Sequence, residues 1–326
     1  MSAYLVRRFA LLILVVFGVI TFVFLLLHLA PGDPVDFLVV SPYATQEDIQ
    51  AMRTVYGLDK SLTGQYWVMI KNCLRGDFGK SFFHGRPVFD LVLERLPATL
   101  ELGLLAILVT AVVAIPMGLV SAIKRGSIAD HVSSVFMFIG IATPNFWLGI
   151  VLILVFSTLL GLLPTFGRGP ALVEGFFMLF QAGPKPLLKS LSYLVLPVAS
   201  LAVYYSSIIG QLTRGSVIEE FRKDYLRTLR AKGVRERTLI LRHLLKNVSV
   251  PIINVLGLQM GALIGGTVVI ETVFSWPGIG LLLIQAIGKR DYPVVQAIVI
   301  LVSVGYVMIN LLVDLIHMYV DPRVRA

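Results

Sequence analysis

Charge is scarce in this sequence. Only 14% of its 326 residues are Asp, Glu, Lys or Arg, while 57% are hydrophobic; a soluble domain carries roughly 25% charged residues. Such a chain is read as membrane-embedded, because its apolar residues are gathered into long runs. Cysteine is scarcer still: Cys73 stands alone, which excludes an intrachain disulfide framework. It reads as a small, half-buried residue. No His/Cys/acid cluster has metal-ligand spacing and no nucleophile sits beside a base, so neither a metal nor a catalytic constellation is expected. An Arg-rich voltage helix and a selectivity filter are also missing.

A phosphate loop is missing too, although "GDFGKS" at 76–81 ends like one. Wrapping a phosphate in backbone N–H groups needs a glycine, then four residues, then Gly-Lys-Ser/Thr. Counting back from Gly79, that position holds Leu74. The preceding "QYWVMIKNCLR" has helical spacing, where a buried strand is required. The stretch is read as a loop between helices, and no ATP site is expected in this chain.

What is present is a series of apolar runs. Charge-free segments of spanning length lie at 9–27, 102–123, 132–167, 190–213, 248–270 and 292–313, each near or above the roughly 20 residues that cross a bilayer. The first is too long for the core of about 7–15 residues in a cleavable signal and reads as a retained anchor. The third, interrupted by Pro144-Asn145 and closed by Pro164, is predicted to be one long or kinked helix. After it "GFFMLFQAG" (175–183) should lie along the interface. Six transmembrane helices follow. Lys and Arg set their orientation: sixteen fall in the N-terminal segment, 124–131, 214–247 and the tail, against five in the short connections opposite. Both termini and the 214–247 loop are expected to be cytoplasmic.

The long 31–97 segment, with seven basic and eight acidic residues, should then be extracytoplasmic and folded. Thr45-Gln46-Glu47-Asp48 resembles a capping box, Gly57 is a good stop, and Pro87 opens "PVFDLVLERL", a predicted short helix. The expected organisation is an anchor helix at 1–30, an outer helical domain at 31–97, a membrane-spanning core at 98–320 and a tail at 321–326.

The spans hold few ionisable groups, and each such group is costly at membrane depth. Glu271, Asn310 and Asp314 are expected to make polar contacts between helices, with a conducting role as the alternative; Asn310 and Asp314 share a helix face with His317. Energy for active transport, if there is any, should therefore enter from outside the spans. The candidate entrance is "EEFRKDYLRTLRAKGVRERTLILRHLLKN" (219–247). Phe221, Tyr225 and Leu229 recur every four residues, edged by Arg222, Arg227 and Arg230, and form an amphipathic helix. Gly233 is placed to end it in a left-handed conformation. A second half should put Leu241, Leu244, Leu245 and Val248 on one face. The physics leaves two readings open: a helix that docks in a partner's groove and a basic helix on anionic lipid. Nucleic acid is disfavoured, since no stacking platform accompanies the charge.

At "DYLRTLRAKG" (224–233) the chain resembles the coupling loop of ABC-type import permeases, closest to the dipeptide/oligopeptide/nickel branch. "LAPGDP" (29–34), "YGLDKSL" (56–62), "GDFGKSF" (76–82), "RLPATLEL" (95–102), "GGTVVIETVFSWPGIG" (265–280), "RDYPVVQA" (290–297) and "NLLVDLIHMYVDPR" (310–323) are similar to that family's patterns, in order and nearly end to end. The general signature starts Glu-Ala-Ala where this chain has Arg227-Thr228-Leu229. Leu229 is the larger departure and should alter fit to a partner without abolishing it.

The resemblance implies an all-α, type I permease fold that pairs with a second homologous permease and is fed by an extracytoplasmic solute-binding protein. It implies that two separate ATPase subunits bind ATP and Mg, with no cofactor in this chain. Carried over residue by residue, Asp224, Tyr225, Leu226, Arg227, Thr228, Leu229, Arg230, Ala231, Lys232 and Gly233 form the coupling segment. Tyr225 and Leu229 would contact the groove, while Arg227 and Arg230 would meet acidic groups or carbonyls of the ATPase. Ser275, Trp276, Pro277 and Gly278 would close the outer end of the pathway or touch the binding protein, with Trp276 as interfacial anchor; a simple interfacial turn is the alternative. Peptides are favoured over nickel complexes, glutathione or sugars, and a stand-alone carrier or channel is the rival class.

Overall fold

The computed structural model describes the backbone of residues 2–29, 47, 50, 53–54 and 59–320, with side chains for 13–26, 28–29, 47, 50, 53–54, 59–261, 265–313 and 315. Among them the secondary structure is helical, apart from an isolated antiparallel bridge between Lys80 and Pro87. The capping box expected at 45–48 and the stop at Gly57 lie outside the described residues. The helices are α1 (Ser2–Leu29), α2 (Leu62–Leu74), α3 (Val88–Ile123), α4 (Ile128–Ala142), α5 (Asn145–Leu152), α6 (Leu172–Ala182), α7 (Lys185–Phe221), α8 (Asp224–Ala231), α9 (Glu236–Thr238), α10 (Leu245–Val273), α11 (Ile279–Gly288) and α12 (Tyr292–Val320). π-helical turns occupy Ile153–Leu159 and Leu239–Leu244.

Among the described residues, four helical stretches are long and apolar enough to cross a membrane: Val88–Ile123, Lys185–Phe221, Glu236–Gly261 and Tyr292–Val313. A fifth arises if α4 and the Asn145–Leu159 arm count as one span. These two meet at 104°, so the third apolar run, expected to be one long or kinked helix, is broken sharply into two arms. The cause is local. Proline disfavours helical geometry in the residue before it, and Thr143 is extended, with φ −93° and ψ 119°.

Two further expectations are corrected. "PVFDLVLERL" is not a separate short helix: Val88 starts a helix that runs through Pro97 to Ile123, about 54 Å at 1.5 Å per residue. The second half of the 219–247 segment is continuous with the next long helix; of its predicted face, Leu244, Leu245 and Val248 turn inward and Leu241 does not. Leu239 and Leu244, five apart, are both fully buried, followed by Val248 and Ile252, while Leu241 is 54% exposed. The π turn widens the spacing of the inward face from about four residues to five.

The chain divides into two compact units. One comprises Met1–Pro97 and Pro277–Val307, the other Ala98–Trp276 and Met308–Ala326. In the first, Val88 and Val92 pack with Leu282, Val294 and Ile298. The axis of the second is α7, which packs against α4, α5, α6 and α10. Because lipid tails are as apolar as leucine, packing of helices in a membrane relies on close approach of small residues. That is found here: a Cβ on Gly118 would fall 2.5 Å from the Gly210 carbonyl, and one on Gly140 2.0 Å from Ser207 Oγ. Larger side chains fill the remaining core, with Leu102, Leu201, Ile270, Phe274 and Trp276 all buried.

Candidate functional site

The 219–233 segment is built by the end of one long helix and the start of another. α7 carries its helical geometry to Phe221, two residues without helix follow, and α8 begins at Asp224. An acidic residue in the first turn and Arg230 in the last suit the helix dipole. Gly233 adopts φ +75°, and the N–H of Val234 reaches back to the Leu229 carbonyl at 3.1 Å. This is the left-handed stop expected of that glycine.

The stripe turns towards the chain's own core. Leu226 is fully buried with Leu239, Leu244 and Val248, and Phe221, Tyr225 and Leu229 pack against this cluster partly buried. The Tyr225 hydroxyl donates to Glu220 Oε1 at 2.7 Å. The Asn247 amide donates to the same oxygen at 2.8 Å, and Lys223 Nζ pairs with the other carboxylate oxygen at 2.6 Å. Burial, then the bond to Glu220, pushes the Tyr225 phenol up to about 12, so it remains a proton donor at any physiological pH. Arg230 is held by Glu236 at 2.8 Å and lies over the Phe221 ring, 5.3 Å from its centroid. Asp224, Arg227, Thr228, Ala231, Lys232 and Gly233 remain exposed; Arg227 and Asp224 approach only to 3.6 Å. A short helix clamped on its inner side thus offers a charged outer side.

A second clamp was not foreseen. Asp130 accepts hydrogen bonds from Arg214 Nε at 2.9 Å and Nη2 at 3.1 Å, from Ser121 Oγ at 2.5 Å and from the Gly126 N–H at 2.9 Å. The Asp130 side chain is 8% exposed and that of Arg214 30%. The helix that leads into α8 is thereby tied to the 124–127 turn. The available sequence signal was an acid and a base bordering long apolar runs, with nothing to pair them.

The 275–278 turn is unlike the interfacial anchor expected. Trp276 is 1% exposed; its indole N–H donates to the Ala98 carbonyl at 2.9 Å, and Arg168 lies over its ring. An indole whose one polar atom has an internal acceptor can be buried whole. Ser275 takes a left-handed φ of +48°, and Pro277 and Gly278 lead into α11. Glu271 is fully buried and accepts a 2.7 Å bond from Thr99 Oγ1, a link from α3 to α10. Asn310 is half-buried; the Asp314 side chain lies outside the described residues.

The "GDFGKS" stretch has its own explanation. Gly76 and Gly79 both take left-handed φ, and Asp77 Oδ1 accepts the Gly79 N–H at 2.9 Å, an ordinary turn. Ser81 bonds to the buried Asp291, which also accepts the Phe82 N–H at 3.0 Å. The serine serves a carboxylate of "RDYP" and not a phosphate.

Comparison with known proteins bears on this arrangement. Residues 114–326 match the family described as binding-protein-dependent transport system inner membrane component, and residues 1–103 match its N-terminal domain. A probable peptide ABC transporter permease protein of Sinorhizobium fredii is 39% identical over the whole of both chains. A dipeptide transport system permease protein of Alkalihalophilus pseudofirmus is 36% identical, again over the whole of both. A glutathione transport system permease protein of Escherichia coli is 36% identical over all of this chain and 99% of its own. In fold, the chain is similar to one in an inward-facing MetNI methionine ABC transporter, with TM-score 0.55 and 17% identity over 71% of this chain and 96% of that one. The chain belongs to the binding-protein-dependent transport system inner membrane component family, whose sequence pattern spans both its units.

Proposed function

We propose that this chain is the non-catalytic permease subunit of an ATP-driven importer for di- and oligopeptides. It crosses the inner membrane six times, α1 and the broken α4–α5 pair included, with both termini cytoplasmic. Residues 1–30 anchor it, 31–97 form an extracytoplasmic domain, 98–320 the core and 321–326 a tail. A second homologous permease completes the pathway, two ATPase subunits bind ATP and Mg, and a solute-binding protein delivers the peptide.

The single observation that carries this reading is α8: an eight-residue helix, clamped inward through Leu226 and Tyr225, with charged residues exposed outward. A rigid knob of this kind transmits a push, whereas a loosely held loop absorbs it. Asp224 to Gly233 dock on the ATPase, the contact falling on Asp224, Arg227, Thr228, Ala231 and Lys232, with Tyr225, Leu226, Leu229 and Arg230 holding the knob in place. Ser275 to Gly278 shape the outer closure, and Glu271, Asn310 and Asp314 make polar contacts within the membrane. The relatives named for peptide and dipeptide transport support the substrate class, and glutathione, itself a short peptide, is the second reading.

The test is to tag the chain in its native host, extract it in mild detergent and identify what accompanies it by mass spectrometry. Two ATPase subunits, a second permease and a peptide-binding protein are expected. A chain that purifies alone and transports without ATP overturns the proposal in favour of a carrier or channel.

A further inference from the structure

The first unit holds a cleft of about 400 Å³, walled by the end of α1, by α2, by the 76–82 turn and by the first turn of α12. That size lies within the roughly 300–1,000 Å³ of small-molecule sites, where a few polar groups in an apolar lining fix a ligand's orientation. His28, Thr54, Gln65 and Tyr292 also line it; three further kinds of polar group carry the argument. Lys60 and Lys80 line the cleft exposed, and neither is ion-paired among the described residues. Asp77, held at Oδ1 by the Gly79 N–H, supplies the opposite charge. The side-chain amides of Asn72 and Gln296 are half-buried in the lining and make no hydrogen bond among the described residues. Half-buried amides with no internal partner leave donors and acceptors for something else to satisfy.

One class of solute matches all three kinds. A short peptide with free ends carries an ammonium, a carboxylate and backbone amides between them. We propose that the cleft is a docking site, on the permease itself, for a short zwitterionic peptide: Asp77 receives its ammonium, Lys60 and Lys80 its carboxylate, and Asn72 and Gln296 its backbone amides. A phosphoethanolamine headgroup shares the two charges and lacks the amides. This inference rests on the peptide-importer reading.

The test uses the complete transporter complex in lipid nanodiscs, without ATP and without the binding protein. Binding of radiolabelled trialanine is compared with that of N-acetyl-trialanine and trialanine amide. Each blocked form is expected to bind about tenfold more weakly or worse, the effect of losing about 1.4 kcal/mol. In Asp77→Asn, which retains the acceptor for Gly79, the N-acetyl penalty should vanish while the amide penalty remains. In Lys60→Gln/Lys80→Gln the reverse should hold. Co-purification of the partner subunits reports that each variant has folded. Cys73 lines the same cleft and gives a readout in the unaltered chain: trialanine should slow its alkylation by a maleimide. Penalties unchanged in the variants, trialanine that fails to bind, or Cys73 shielded by phosphatidylethanolamine and indifferent to trialanine would each overturn the cleft proposal. If trialanine uptake by the full system with its binding protein persists in that case, the importer reading stands. Loss of both, with no ATPase in the complex, sinks the two together.

Discussion

The Tyr225 hydroxyl donates a 2.7 Å hydrogen bond to the Glu220 carboxylate, which also accepts from Asn247 at 2.8 Å. One acid thus joins the end of α7, the short α8 and the start of α10. Tyr225→Phe removes one of several bonds and should cost about 0.5–1.5 kcal/mol, the net value of a single hydrogen bond. Glu220→Ala removes both of these bonds and the Lys223 pair, leaving only the 3.0 Å bond from Asn247 to the Tyr225 hydroxyl, and should cost more. If α8 is a coupling knob, both variants lower peptide uptake per ATP hydrolysed while the complex stays assembled. Uptake and hydrolysis measured in the same proteoliposomes check this; unchanged coupling in Glu220→Ala counts against it.

Inner and outer sides of α8 should respond differently to mutation. Leu226 is fully buried, so Leu226→Asp places a charge in an apolar core and should prevent accumulation of folded chain. Arg227→Glu with Lys232→Glu alters exposed positions, where stability changes stay within about 0.5 kcal/mol. That double variant should insert normally and lose its ATPase partners on purification. Immunoblotting of membranes and pull-down of the complex separate the two outcomes.

The Asp130–Arg214 pair is mostly buried. Breaking a fully buried pair costs about 3–5 kcal/mol, chiefly because the remaining charge is left uncompensated. With Arg214 30% exposed, Arg214→Ala should cost less, about 2 kcal/mol after allowing for solvent screening. Thermal unfolding in detergent reads this as a lower Tm for Arg214→Ala, with Arg214→Lys intermediate because a single ammonium cannot reproduce the forked contact.

Close helix packing gives a paired test. Gly118→Ala would put a methyl group 2.5 Å from the Gly210 carbonyl, a backbone atom that cannot step aside, whereas a Cβ at Gly103, on the same helix, meets nothing within 4 Å. Gly118→Ala should destabilise by about 1–3 kcal/mol through overpacking. Gly103→Ala should be neutral or slightly stabilising, since alanine is the better helix former. The difference in Tm between the two variants is the measurement.

Trp276→Phe keeps an aromatic ring and removes the indole N–H that bonds to the Ala98 carbonyl at 2.9 Å. The loss should be about 0.5–1.5 kcal/mol, the net value of one hydrogen bond, because the Ala98 carbonyl inside α3 keeps its helical bond. With the exposed Trp67 and Trp147 replaced by Phe, Trp276 fluorescence should be blue-shifted and poorly quenched by acrylamide, as suits a residue 1% exposed. A red-shifted, readily quenched spectrum would place it at an interface after all.

The sequence by itself determined the class of protein. Scarce charge and apolar runs made it a membrane chain of long helices, the ordered motifs from "LAPGDP" to "NLLVDLIHMYVDPR" carried the family, and Gly233 marked the end of α8, because composition and local backbone preference are written residue by residue. Only the tertiary structure decided the rest. Whether Pro144 kinks a helix or folds it through 104° depends on what the two arms pack against. Whether Leu241 or Leu239 faces inward depends on a π turn that no heptad count reveals. Partners such as Asp130 with Arg214, and Asp291 with Ser81, lie 84 and 210 residues apart. Such pairings depend on which helix ends the packed helices bring together, and local pattern carries no record of that.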